Sequence, residues 1–181
     1  PSGARAERGL ISGPVGLSRQ SIDCGPDGNK AGRVRQMDGL GSLAALEGEW
    51  RLDREIRHTD GSRQHVTGTA RFHWQDLYLV QDEEGVLTGL PGGAEVKATR
   101  RYLWQAENGM ANILFDDRRP FHAIPLGAEA PCATHLCAPD TYRVSYAFDL
   151  PAAWQALWSV DGPRKSYVMT SRYRRPMAGA A

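Results

Sequence analysis

Apolar and polar residues alternate over most of this chain, and few folds accommodate that pattern. In the first clear segment Trp50, Leu52 and Ile56 share one face, while charged residues occupy the other. Successive side chains of a β-strand point to opposite sides of a sheet, so a period of two predicts a half-buried strand. Polar residues 59–62 then supply a turn, and residues 66–74 alternate again. The segment is therefore predicted to form a hairpin of two long strands.

The same alternation recurs towards the C-terminus, with turn-forming residues between the segments. The pair Asn108-Gly109 gives the strongest turn prediction, because it favours the two-residue turn of a β-hairpin. Segment 151–160 fits a helix or a strand, and its intervening polar residues favour a strand. A long antiparallel sheet avoids exposed edges by curling on itself. We therefore predict an all-β fold, an antiparallel lipocalin-like (calycin-like) β-barrel of about eight to ten strands.

The ends of the chain lack this pattern. Residues 1–37 are rich in Gly, Pro, Ser and Arg and follow neither a helical nor a strand period, so we predict a flexible N-terminal tail. Asp38 is a candidate cap for a short N-terminal helix that runs through Leu46 and closes one end of the barrel. The barrel domain is then expected at 38–176, followed by a C-terminal tail at 177–181.

Charge and composition argue against several function classes. The chain has 22 Lys and Arg against 21 Asp and Glu, so it lacks a strong field that would attract nucleic acid or an anionic membrane. No apolar run approaches the roughly 20 residues of a membrane-spanning helix. The three cysteines, Cys24, Cys132 and Cys137, favour a reducing compartment and a cytoplasmic location. The partners we expect are a small molecule and, at most, a second copy forming a homodimer.

Two residue patterns near the ends of the domain resemble those of lipocalin and calycin barrels. The first is the Gly-x-Trp triplet that ends in Trp50, and the second is the basic cluster of Arg172, Arg174 and Arg175. In those barrels the tryptophan packs beneath the floor against an arginine from the terminal strand. The resemblance implies the same contact here.

A closer resemblance covers residues 46–174 and links the chain to a bacterial and fungal family known as domain of unknown function 6314. The residues that carry it are Trp50, Arg54, Ile56, Gly68, Ala70, Arg101, Tyr102, Trp104, the segments 115–122, 135–142 and 162–167, Tyr173 and Arg174. One departure is Arg118, where the family pattern has a glycine before Arg119-Pro120. The resemblance implies a barrel and no particular activity.

Four residues that bind metals or transfer protons lie close together in the sequence, namely His122, His135, Cys137 and Asp140. His135 and Cys137 would point to the same side of a strand, with His122 contributed by a neighbouring strand, and such a set can bind zinc or iron. The sequence lacks the Cys-x-x-Cys or His-x-x-x-His spacing of strong zinc motifs. In the alternative interpretation Cys137 is a small buried filler, the histidines bind backbone carbonyls and Asp140 stabilises a turn.

Two arginines fall on apolar strand faces. Arg54 is in register with Trp50, and Arg100 is in register with Tyr102 and Trp104, so both point inward if those faces line the barrel. A buried guanidinium needs a partner. That partner is either the carboxylate or phosphate of a ligand, with a tyrosine hydroxyl as a second donor, or an internal carboxylate. Arg54 has the further option of packing beneath Trp50.

The leading hypothesis is a binding protein whose barrel holds a small, anionic ligand. Its candidate ligand-binding residues are Arg54, Arg100, Tyr102, Trp104, His122, His135, Tyr142 and Tyr146. An interior filled by side chains would argue against it. One alternative is a metal- or haem-dependent enzyme or binding barrel that uses His122, His135 and Cys137. The other is a structural or interaction module, and the sequence identifies no cofactor and no catalytic residue.

Overall fold

The structure is a computed structural model that describes residues 39–176. The tails predicted at 1–37 and 177–181, and the cap predicted at Asp38, lie outside the described residues. The described part is a nearly closed barrel of ten antiparallel strands, which confirms the predicted fold class. Its strands are β1 (Gly48–His58), β2 (Arg63–Gln75), β3 (Tyr78–Thr88), β4 (Val96–Glu107), β5 (Met110–Phe115), β6 (Pro120–Pro125), β7 (Cys132–Cys137), β8 (Asp140–Asp149), β9 (Ala153–Asp161) and β10 (Ser166–Arg174).

The strands form one sheet in the order β6-β5-β4-β3-β2-β1-β10-β9-β8-β7. Neighbours in the chain are neighbours in the sheet, and the first and last strands pair with each other. The barrel is left open only between β6 and β7, which form the two ends of this order. We call this gap the seam. Apart from the strands, the described region has two short 3-10 turns, Leu43–Leu46 and Pro91–Gly93, and neither has the length or apolarity of a membrane-spanning helix.

Local sequence explains the turns and the ambiguous strand. Asn108 and Gly109 have φ values of 51° and 75°, as a type I′ hairpin turn requires, and this confirms the predicted turn between β4 and β5. The segment that fitted either a helix or a strand is β9, as predicted. In that strand Trp154, Trp158 and Val160 are buried, which is the period of two expected for a half-buried strand.

The barrel is closed at the end where β1 begins, and we call this end the floor. The expected helix is a single 3-10 turn, and its observed cap is the Ser42 side chain, which accepts a hydrogen bond from the Ala44 amide at 3.3 Å. Leu43 and Leu46 are fully buried in the core, and the Trp50 indole donates to the Leu46 carbonyl at 2.8 Å. The turn therefore covers this end of the barrel, as the sequence predicted.

Arg175 packs against the outer side of the floor. The Arg175 guanidinium lies 3.9 Å from the centre of the Trp50 ring and donates to the Glu47 carbonyl at 2.7 Å. Arg175 directly follows the terminal strand, so this is the contact that the lipocalin resemblance implied. Trp74 departs from the pattern, because it lies on the apolar face of β2 and is nevertheless 44% exposed near the β2–β3 turn.

The turn between β5 and β6 contains the departure from the family pattern. Arg118 has a φ of 66°, in the left-handed region that favours glycine. Its guanidinium lies 5.6 Å from the centre of the Tyr78 ring, so its side chain makes one contact that glycine lacks. A glycine, which the resemblance implies at this position, would adopt this backbone conformation without a steric cost.

We expect Arg118→Gly to be more stable than Arg118→Ala by about 1 kcal/mol, because alanine in the left-handed region carries a steric cost that glycine avoids. Both variants lose the Tyr78 contact, so their difference isolates the backbone effect. Urea unfolding measures it, and equal stability of the two variants would contradict a strained backbone at this turn.

Candidate functional site

The lower half of the barrel contains a buried ion pair. Arg54 and Glu83 are 5% and 4% exposed, and an Arg54 nitrogen lies 2.7 Å from a Glu83 carboxylate oxygen. Arg54 also donates to the Ser171 hydroxyl at 2.7 Å. Arg54 thus points inward as predicted, and its partner is an internal carboxylate, which was one of the two alternatives.

Further hydrogen bonds extend the pair across the barrel. The Tyr173 hydroxyl donates to Glu83 at 2.5 Å, and the Gln81 amide donates to it at 2.8 Å. Gln81 in turn accepts from the Trp104 indole at 2.7 Å, so Trp104 is fixed by the network. Burial alone disfavours the charged form of Glu83, but Arg54, Arg100 and these hydrogen bonds outweigh it and hold the Glu83 pKa below its usual value. We call the hydrogen-bonded residues the deep network, namely Arg54, Gln81, Glu83, Trp104, Ser171 and Tyr173.

The space left beside the deep network is small. A cavity of about 20 Å³ lies among Arg54, Arg100, Tyr102, His122 and Tyr146, with Trp158 and other core residues in its wall. That volume holds about one water molecule. Side chains therefore fill the deep interior, and a ligand fully enclosed at this depth does not fit the structure as it stands.

His122 and Tyr146 form a neutral pair at the edge of this cavity. A ring nitrogen of His122 on β6 lies 2.8 Å from the Tyr146 hydroxyl on β8, and its other nitrogen is buried and has no partner in the described region. Burial, and to a lesser degree His135, lowers the His122 pKa to about 3. Burial likewise raises the Tyr146 pKa. Both residues are therefore uncharged near neutral pH.

The structure separates the predicted metal ligands. His135 on β7 is half-exposed and near enough to His122 to affect its pKa, whereas Cys137 is an exposed free thiol at the end of β7. The interpretation of Cys137 as a buried filler was therefore wrong, because β7 lies at the seam and its end faces solvent. Asp140 pairs with Lys165 at 2.8 Å. Residues 39–176 contain no group of three His, Cys, Asp or Glu side chains arranged to hold a metal ion.

The end of the barrel opposite the floor is lined by half-exposed side chains, and we call it the open end. Its inward-facing polar and aromatic residues are His58, Arg100, Tyr102, Phe115, His135, Tyr142 and Tyr167. Aromatic and histidine rings on neighbouring strands contact one another here. The ring centres of His58 and Tyr167 are 5.7 Å apart, and those of His135 and Tyr142 are 6.1 Å apart. This end therefore combines an aromatic wall with access from solvent.

Arg100 differs in its partners from Arg54, which also lines the barrel interior. It lies over the Tyr102 ring at 5.7 Å, and within residues 39–176 its guanidinium makes no ion pair and no side-chain hydrogen bond. By contrast, the neighbouring Arg101 points outward and pairs with Asp82 at 2.6 Å. Arg54 is neutralised by Glu83. Arg100 therefore presents an uncompensated positive charge to the interior.

Two tyrosines, one on β4 and one on β10, lie near this charge. Burial raises the pKa of Tyr102 and of Tyr167, so both hydroxyls stay protonated and can donate hydrogen bonds. Arg100 lies within electrostatic range of both, which places β4 and β10 on the same site. Tyr142 on β8 accepts a hydrogen bond from Lys165 at 2.6 Å, and the charge of Lys165 is balanced by Asp140.

Comparison with known families identifies the family of this chain. The sequence pattern that defines the family of unknown function DUF6314 matches residues 46–175. The chain belongs to this family. That membership confirms the resemblance read from the sequence and brings no activity with it. No curated protein matches the chain significantly.

Two solved structures share the fold of this DUF6314 protein. A protein of unknown function from the DUF3598 family of Nostoc punctiforme has a TM-score of 0.58 and 13% identity, and the match covers 81% of this chain and 53% of that one. The chain thus spans about half the length of that protein. The S-type phycobiliprotein lyase from Guillardia theta has a TM-score of 0.55 and 8% identity over 75% of this chain and 90% of that one. At such identities the likeness shows the fold alone.

Proposed function

We propose that this protein binds a small anionic molecule at the open end of its barrel, with Arg100 as the main anion-binding residue. One observation carries the proposal: Arg100 points inward and makes no ion pair of its own in the described region, because Glu83, the carboxylate within its electrostatic range, is paired with Arg54. A half-buried guanidinium favours a carboxylate, sulfonate or phosphate, which it binds through two parallel hydrogen bonds.

The surrounding groups suit an anion. Protonated hydroxyls of Tyr102 and Tyr167 can donate hydrogen bonds to it. The charges of Arg54 and Glu83 cancel, so Arg100 leaves the described interior with a net positive charge. An anionic guest would neutralise that charge in a region partly shielded from water.

The filled lower half limits where the ligand lies. Because the deep cavity holds about one water molecule, we place the ligand at the open end. Of the residues predicted from the sequence, this assigns direct contact to Arg100, Tyr102, His135 and Tyr142. The other four line the deep cavity beneath the site, namely Arg54, Trp104, His122 and Tyr146. A protein named as a phycobiliprotein lyase shares this fold. The anionic ligand proposed here is inferred from the side chains of this chain.

A pair of fluorescent probes tests the anion site. 1-Anilinonaphthalene-8-sulfonate carries a sulfonate, and N-phenyl-1-naphthylamine has the same rings without it. We expect Arg100→Gln to weaken sulfonate-probe binding about tenfold, corresponding to one lost charge-assisted contact of about 1.4 kcal/mol, and to leave the uncharged probe unchanged. Fluorescence titration measures both affinities, with the fold of each variant checked by circular dichroism.

Arg101→Gln is the matched control, because it removes the neighbouring outward-facing arginine and the same formal charge. It should leave both affinities unchanged. The proposal is wrong if the two variants weaken the sulfonate probe equally, since that result would show only an effect of net charge, or if neither variant weakens it.

A further inference from the structure

Phe121 and His122 are consecutive residues of β6, and both point into the barrel. In a regular strand successive side chains point to opposite faces. The β5–β6 ladder pairs Ile113 with His122 and Leu114 with Pro120, which leaves Phe121 without a partner. This is a β-bulge, a feature that redirects a side chain and is common beside functional sites. Here the bulge directs the Phe121 ring into the interior.

The ring of Phe121 stacks with two other rings. It is stacked with Tyr102 of β4 at a centroid distance of 5.5 Å and an angle of 14°, and with Trp158 of β9 at 5.2 Å and 4°. The three rings are thus nearly parallel, and we call the space that Phe121 occupies beside Tyr102 and Trp158 the slot. The slot borders the anion site, because Arg100 lies over the same Tyr102 ring.

The strand that carries Phe121 is weakly held. β6 has six residues, begins and ends with proline, and pairs with β5 only, because the seam separates it from β7. In contrast, Trp158 lies on β9, which pairs with strands on both sides. Moving Phe121 outward at the seam therefore breaks fewer backbone hydrogen bonds than moving either ring that stacks with it.

We infer that the slot beside Tyr102 and Trp158 is a subsite for a planar ring of the ligand, and that Phe121 occupies it until the ligand displaces it. Together with Arg100, this defines the ligand class as a planar aromatic or conjugated acid. The acidic group rests on the proposed function, whereas the ring subsite rests on the stacking geometry.

Phe121→Ala in the full chain tests the subsite with the uncharged probe N-phenyl-1-naphthylamine. If the outward position of Phe121 is a minor state of about 1–10%, apparent affinity is reduced by that fraction. Removing the ring should therefore tighten binding of the uncharged probe about 10- to 100-fold. Phe115→Ala is the matched control, because Phe115 contacts Phe121 at 4.5 Å but does not lie in the slot. That variant should show no such gain.

A folded Phe121→Ala protein whose affinity for the uncharged probe is unchanged or weaker would overturn the inference. If Phe121→Ala does not fold, Phe121→Leu decides, because leucine fills the slot only partly and should give a smaller gain. No gain with folded Phe121→Leu would likewise overturn it. The two proposals fail separately: the uncharged probe reports on the slot, and the Arg100→Gln effect on the sulfonate probe reports on the anion site.

Discussion

Glu83→Gln is expected to lower the free energy of unfolding by about 3–5 kcal/mol, because it leaves the Arg54 guanidinium buried without its carboxylate. Glu84→Gln is the matched control. Glu84 is the next residue along β3, faces outward and pairs with Lys97 at 2.8 Å in an exposed position, so its loss should change stability by less than about 0.5 kcal/mol. Urea unfolding at neutral pH compares the two variants with the wild type.

The same pair has a defined pH dependence. The folded-state pKa of Glu83 lies below the usual 4.5, so its stabilising contribution is complete above that pH and is lost as the pH falls through the lower folded-state value. Glu83→Gln should remove this part of the acid sensitivity. If Glu83→Gln and Glu84→Gln prove equally stable, the deep network does not hold the barrel together as described.

His122 is expected to make the barrel less stable as the pH falls below neutrality. Its pKa is lowered from 6.5 to about 3 in the folded state, so the unfolded chain binds a proton in this range and the folded chain does not. Between pH 7 and pH 4 the loss should reach about 2–3 kcal/mol, slightly below the full linkage value because the ring is partly exposed. His122→Gln should remove that slope.

The comparison needs a second histidine variant. His65 is exposed on the outer face of β2, 2.9 Å from Asp53, so His65→Gln reports on an ordinary surface histidine. Unfolding free energies at several pH values would be measured for all three proteins. Retention of the full wild-type slope in His122→Gln would show that His122 is not held neutral by burial.

The fold was predictable because alternation and turn residues are local properties of the sequence. A period of two placed Arg54 and Arg100 on inward faces, and Asn108-Gly109 marked a hairpin, without any knowledge of distant contacts. The short helix was less predictable, since a single 3-10 turn capped by Ser42 leaves almost no periodic pattern. The exposure of Trp74 depends on where the barrel wall ends, which alternation does not encode.

The site was predictable only in part. Arg54 needed a partner, but Glu83 lies on another strand, and its contact with Arg54 depends on a register that the sequence does not specify. The only available indication was its alternation with Leu79 and Gln81 along β3. Phe121 was missed for a physical reason: a bulge breaks the period of two, so the residue it redirects is hidden from pattern analysis.

The most direct test of the anion site is to map where the sulfonate probe binds. Two-dimensional NMR of the isotope-labelled chain, titrated with 1-anilinonaphthalene-8-sulfonate, locates the residues whose chemical shifts change. We expect the largest changes at Arg100, Tyr102, Tyr142 and Tyr167, and much smaller changes at the three tyrosines in Arg100→Gln at the same subsaturating probe concentration. Changes centred instead on the outer groove lined by Asp53, His65 and Arg172 would contradict a ligand site inside the barrel.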